Sequence, residues 1–124
     1  MALDKAGLLA RSVLKVERVE IPEWGGESVH IREITATERD LYEGRALEKK
    51  GLAKYQDLRA GFLVLTLCDD QGRRLFEDSD LAEVGKLPAG VADRLWGHAM
   101  RLNRMFKEDV EELAGNSGTA PSAG

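Results

Sequence analysis

The sequence predicts an α+β fold, in which an N-terminal antiparallel β-hairpin packs on a mostly helical bundle of about four helices. Two observations lead there. Residues 19–35 (VEIPEWGGESVHIREIT) alternate apolar and polar side chains on either side of Pro-Glu-Trp-Gly-Gly, the period-two pattern of paired strands around a turn. After Thr35 the apolar spacing changes to three and four, the period of helices.

In the hairpin, Val19 and Ile21 lie two apart, as do Val29 and Ile31, so each pair lines one strand face. Opposed residues of an antiparallel pair share a face. A two-residue Gly25-Gly26 turn would set Ile21 against His30 and mix the faces. A three-residue loop of Trp24, Gly25 and Gly26 sets Ile21 against Val29 and Val19 against Ile31, and this is the expected register. A five-residue loop starting at Pro22 gives the same facing. With either, Trp24 belongs to the loop. Upstream, Leu14 and Val16 fall on the other parity. A bulge near residues 17–18 reconciles them, as does a strand that begins only at about Val16.

Thr35 and Glu38 have the spacing of a capping box, with Thr37 as a competing cap. The helix they open should run to about Lys50 and stop at Gly51, with Leu41, Tyr42, Arg45 and Ala46 on its inner stripe. A second helix fits Ala53 to about Cys68. Tyr55, Leu58, Phe62 and Leu65 form one stripe and Leu63 with Leu67 another, which makes it the most buried helix expected. Asp69-Asp70-Gln71-Gly72 is a turn leading to an extended piece over 73–76. Asp80 can cap a short helix holding Leu81 and Val84, ended by Gly85. Pro88 suits the first turn of a last long helix reaching about Phe106, with Val91, Leu95, His98, Leu102 and Met105 on one side. Residues 108–113 should add a further turn or two of helix. The whole reads as one domain over 1–114, with 1–11 poorly defined, followed by a polar, disordered 115–124 (GNSGTAPSAG).

Composition excludes several function classes. The 124 residues suit a single modest core, and the formal net charge of −4 comes from interspersed acids and bases. That is not the footprint of a nucleic-acid or membrane binder. The single cysteine, Cys68, fits a reducing compartment, and the start lacks the apolar run of a signal peptide, so a cytosolic protein is expected. His30 falls on the polar strand face and His98 beside apolar helix positions, with no metal-ligand spacing between them and Cys68. Cys68 reads as a small buried hydrophobe. Gly25-Gly26 precedes a strand rather than a helix and is no phosphate loop. No catalytic, metal or cofactor residue is expected.

The phrases IPEWGGESVHIREITATERDLYE, LRAGFLVLTLCDDQGRRLFEDSDLAEVGKLP and LWGHAMRLNRM, in that order, give the chain a wider likeness. Over about residues 16–113 it resembles the tail assembly chaperones of long-tailed, siphovirus-like bacteriophages. Gly72, Arg74, Leu75 and Phe76 match the turn after the apolar helix, and Arg101, Leu102 and Asn103 match the last helix. The resemblance implies a non-enzymatic protein of the host bacterial cytoplasm that binds the tape-measure protein, recruits tail tube protein through a longer frameshifted form, and is absent from the mature virion. This chain would be the short form.

Such a role needs apolar side chains within a charged surround. The candidates for partner binding, including self-association, are Trp24 at the hairpin tip and the group Met100, Met105, Phe106 and Leu113. Taken singly, Met100, Met105 and Phe106 are more simply read as closing the core, as is Trp96, while Trp24 is the best placed. Two alternatives remain: a structural protein of the tail or head–tail joint, and a small nucleic-acid-binding regulator using Arg73-Arg74 and Arg101 with Arg104. The dispersed charge disfavours the second.

Overall fold

β1 (Val16–Ile21) and β2 (Glu27–Arg32) form the expected antiparallel hairpin. The computed structural model describes residues 1–51 and 56–105. Its pairing sets Ile21 against Glu27, Val19 against Val29 and Glu17 against Ile31. This is the five-residue loop, so the expected Ile21–Val29 and Val19–Ile31 pairs are corrected. Proline supplies the reason: Pro22 cannot donate to a ladder, and it opens a 3-10 turn over Pro22–Trp24 that draws Pro22 and Glu23 into the loop. Gly25 and Gly26 close the turn at φ 70° and 86°, where a side chain would be strained. The two registers differ by an even step, so the facing survives. Val19, Ile21 and Ile31 are buried together. No bulge is needed, because pairing is continuous from Val16.

A third strand was not expected. Leu67 and Cys68 leave the helical path as β3 (Leu67–Cys68), pairing with Ile31 and His30 to give a sheet in the order β1-β2-β3. The apolar helix therefore ends at Thr66, short of the Cys68 read from its pattern. Thr66 Oγ1 donates to the carbonyl of Phe62 at 3.0 Å, and Leu67 is already extended. Sheet pairing with β2 outweighs one more helical turn there. With α1 (Lys5–Ala10) and α2 (Ala36–Glu48) preceding it, the apolar helix is α3 (Leu58–Thr66), and every residue from Phe62 to Thr66 is buried. It is the most buried helix among the described residues, as expected. The Ala53 start and Tyr55 lie outside them.

α1 was also missed; Asp4 caps it by accepting the Gly7 N–H at 2.9 Å. At the start of α2 the capping box is complete: Glu38 N–H donates to Thr35 Oγ1 at 3.1 Å, and Thr35 N–H to Glu38 Oε1 at 2.9 Å. Its expected inner stripe is only half right. Tyr42 and Ala46 are half-buried, but Leu41 is 58% exposed and the Arg45 side chain lies on the surface beside Asp78. The helix touches the body along a narrow line through Tyr42, whose ring packs on Phe62 at 5.0 Å between centroids.

The turn after β3 is built on Asp69, whose Oδ1 accepts the N–H groups of Gln71 and Arg73, both at 2.9 Å. Gly72 sits at φ 83°, and a Cβ there would stand 3.2 Å from Val16 Cγ2. Arg74 returns along Cys68, its Nε donating to the Val64 carbonyl at 3.2 Å. Asp80 does not cap the next helix through its side chain. Its carboxylate accepts from Glu77 N–H at 2.8 Å, closing the 3-10 turn Asp78–Asp80, and α4 (Leu81–Val84) follows directly. Pro88 is the N-cap of α5 (Ala89–Leu102) rather than part of its first turn. Val91, Leu95 and Ala99 of α5 are buried against the sheet and α3, with Leu102 and Met105 packed at the margin.

α5 ends at Leu102, before the expected Phe106. Arg104 takes the left-handed conformation at φ 54°, and Met105 N–H returns to the Met100 carbonyl at 2.9 Å. Phe106, residues 108–113 and the 115–124 tail lie outside the described residues. At this end Asn103 bridges distant parts of the chain. Its Oδ1 accepts from Ile34 N–H at 2.8 Å, and its Nδ2 donates to the Ala99 carbonyl at 2.9 Å and the Arg32 carbonyl at 3.5 Å. Beside it, Arg32 is 4% exposed and its Nη2 donates to Glu38 Oε2 at 2.7 Å. Partial burial pushes the Glu38 carboxyl up. Hydrogen bonds from Arg32 and Thr35 outweigh this and hold it below the usual carboxylate range.

Asn103→Ala should cost about 1–3 kcal/mol, because Ile34 N–H loses its partner inside the fold, and urea titration measures it. Since the folded state lowers the Glu38 pKa, its contribution is full above the unfolded value of about 4.3 and is lost as pH falls through the folded value. Melting followed from pH 7 to pH 3 should show Glu38→Gln less stable than wild type at neutral pH. The gap should narrow in acid, and a gap that stays constant would mean that the carboxylate charge is idle.

Candidate interaction surfaces

The structure places the sequence-predicted residues at two separate positions. Trp24 ends the 3-10 turn at the hairpin tip and is 40% exposed, which agrees with its assignment to the loop. Glu23, next to it, is held by Arg94 of α5 through three contacts of 3.0, 3.3 and 3.0 Å. The Arg94 hydrogen bond lowers the Glu23 pKa, and the same bond raises that of Arg94. Both side chains are about two-fifths exposed, so this fork orients the tip more than it stabilises the fold.

Met100 and Met105 pack against the core instead of standing free, as the simpler reading of each held. Phe106 and Leu113 lie outside the described residues. The Glu23 contact at Arg94 and the Arg32 contact at Asn103 mark the two ends of the sheet along α5. Asn103 follows Arg94 by nine positions, roughly 14 Å of helical rise. Trp24 and the methionines therefore do not form one patch.

Trp96 is half-buried and packed on the core. Arg59 lies over its ring at 5.1 Å and is paired with Asp93. The Trp96 indole N–H lies beside the Tyr42 hydroxyl without meeting hydrogen-bond geometry. That hydroxyl donates to the Leu58 carbonyl at 2.9 Å. Burial raises the Tyr42 pKa, with Trp96 opposing and the Glu43 charge adding to the rise.

Sequence reasoning missed most of the exposed apolar side chains. Leu8 and Leu9 of α1 are 59% and 62% exposed, and Leu47 on α2 is 83% exposed. Val13, Leu41 and Leu75 are exposed too. Six residues are too few for periodicity to speak for α1, and the spacing on α2 suggested an inward Leu41. Between α2 and α3 a cleft of about 80 Å³ has Tyr42, Ala46, Leu58 and Val64 on its walls, with Arg45, Lys49, Asp57 and Asp78 around it. That volume is far below the size of a small-molecule site.

Among the described residues no group of three or more His, Cys, Asp or Glu could hold a metal ion. Cys68 is 1% exposed, and burial raises its thiol pKa, the opposite of an activated nucleophile. His30 and His98 are half-buried and far apart in the chain. None of the helices is long and apolar enough to cross a membrane among the described residues.

The described residues thus form a small α+β body with apolar side chains scattered over its surface. The family model described as phage tail assembly chaperone matches residues 3–116. The chain belongs to the phage tail assembly chaperone family. The structure of the bacteriophage HK97 tail assembly chaperone has a similar fold, with a TM-score of 0.58 and 20% sequence identity over 77% of this chain and 89% of that one. At that identity the likeness concerns the fold. A comparison with curated proteins finds no match.

For a family of chaperones the cost of losing Trp24 should be small in folding. Trp24→Ala should lower the melting temperature far less than Leu95→Ala, a fully buried position expected to cost about 2–5 kcal/mol. Equal losses, compared by differential scanning calorimetry, would place Trp24 in the core.

Proposed function

We propose that this tail assembly chaperone binds the tape-measure protein of its phage, keeps the apolar surface of that long helical client soluble, and does so without catalysis. It acts in the host bacterial cytoplasm as the short form of a frameshifted pair. The longer form recruits tail tube protein, and neither form stays in the mature virion. The observation that carries this reading is the family membership combined with the exposed apolar side chains of α1, α2 and the hairpin tip. An amphipathic helix needs such contacts, and the interspersed charge around them keeps the complex in solution. Trp24 is a contact residue in this reading, as are Phe106 and Leu113. Met100 and Met105 support the end of α5 and present their remaining surface beside it.

The test is co-expression with the tape-measure protein, followed by pull-down with wild type, Trp24→Ala and a chain truncated after Leu113. The wild type should raise the soluble yield of the tape measure and hold it. Trp24→Ala should hold less with little change in melting, and the truncated chain should behave as wild type. If the wild type neither solubilises nor holds any tape-measure segment and is instead found in purified virions, the protein is a structural tail or head–tail joint component.

A further inference from the structure

β1 lies at one side of the sheet, and its outer edge carries a specific pattern. Glu33 N–H donates to the Lys15 carbonyl at 2.9 Å, which fixes the phase of the ladder. Lys15, Glu17, Val19 and Ile21 therefore exchange hydrogen bonds with β2, and Val16, Arg18 and Glu20 turn their backbone N–H and C=O groups the other way. Among the described residues, no backbone hydrogen bond reaches that outer row. The side chains of Arg18 and Glu20 are 60% and 65% exposed.

We infer that this edge pairs antiparallel with the same edge of a second copy, about a two-fold axis through Val19. The phase of the ladder limits the choice, since only outward-turned residues can exchange bonds across such a joint. Five registers of Val16, Arg18 and Glu20 satisfy this. Setting Val16 opposite Val16 or Arg18 carries Glu20 past the start of the partner's β1, which leaves Arg18 opposite Arg18, Glu20 opposite Glu20, or Arg18 opposite Glu20. The first two oppose like charges. The third opposes unlike charges, and the two-fold axis repeats the pair. In this register Pro22 of the second copy falls opposite Val16, at the end of the ladder, where its missing N–H costs least. The two sheets then join into one of six strands, with Val19, Ile21 and Ile31 of each copy still facing its own helices. Arg18 already lies 3.6 Å from Glu20 of its own chain and bonds Ser28 Oγ at 3.0 Å. Pairing therefore rearranges charges that are solvent-exposed and loosely held. Charged edge strands also serve to repel neighbours, and it is the order of the two signs here that makes the edge self-complementary.

This inference goes beyond the proposed function and does not depend on the client: failure to bind a tape measure would leave it standing. Sedimentation velocity over a concentration series tests it on the full chain. The wild type should dimerise, more weakly as salt is added. Arg18→Glu and Glu20→Arg should each set like charges opposite one another twice and weaken the dimer roughly tenfold or more. The double variant Arg18→Glu/Glu20→Arg restores the complementarity and should recover wild-type association. Both positions are exposed, so melting should be near wild type in all three. A wild type that stays monomeric throughout, single variants that dimerise as wild type does, or a double variant that does not recover would each overturn the inference.

Discussion

Asn103 joins parts of the chain that are 69 and 71 residues away in sequence, and the rest of the fold is arranged around that junction. Its amide receives the Ile34 N–H, which belongs to neither the strand before it nor the helix after it. Such a donor has no regular partner and must be met by a side chain or by water. Two residues earlier, at the end of β2, Arg32 reaches Glu38 in the first turn of α2, and Glu38 in turn completes the cap on Thr35. The same few residues end a strand, start a helix and terminate α5. With that corner fixed, α5 lies along the hairpin, and Arg94 meets Glu23 at the far end. The orientation of the Trp24 tip thus follows from two polar fixtures on one helix.

The apolar side chains divide accordingly. Those on the inner face of the hairpin, on α3 and on one side of α5 form a continuous core. Those on α1 and the outside of α2 remain in water. A chaperone has to keep some apolar surface uncommitted while remaining a stable monomeric fold or a small assembly, and a body pinned by polar corners allows that. Client contacts can then be made at the periphery without opening the core.

Local chemistry was the most legible part of the sequence. The Thr35/Glu38 box, the Asp69–Gly72 turn, the facing of Val19, Ile21 and Ile31 and the burial of α3 follow from short-range pattern, and the structure has all of them. What failed was decided by distant partners. Leu67 and Cys68 continue a helical pattern, and only the free side of β2 makes them a strand. The loop length turned on how Pro22 competes with ladder pairing, which alternation alone does not settle. Leu41 looked inward because a helix pattern shows a stripe but not how much body there is to cover it. Of the candidate contact residues, Trp24 was readable because a turn residue next to two glycines has few places to hide. Met100 and Met105 were ambiguous because an apolar residue near a helix end serves a core and a contact equally well.

α2 buries no residue, although it is thirteen residues long. Its formation rests on the capping box and Arg32 at one end and on Tyr42 against Phe62 further along, so its attachment to the hydrophobic core is narrow. A helix held in this way can open without dissolving the sheet, α3 and α5, as a low-stability cooperative unit of its own. Opening would release Tyr42 from Phe62 and widen the cleft above α3, the most apolar helix among the described residues. The core would then be rigid, and the accessible apolar area would be set by an equilibrium in one peripheral helix. A chaperone with that division could adjust how much apolar surface it offers while the fold stays fixed.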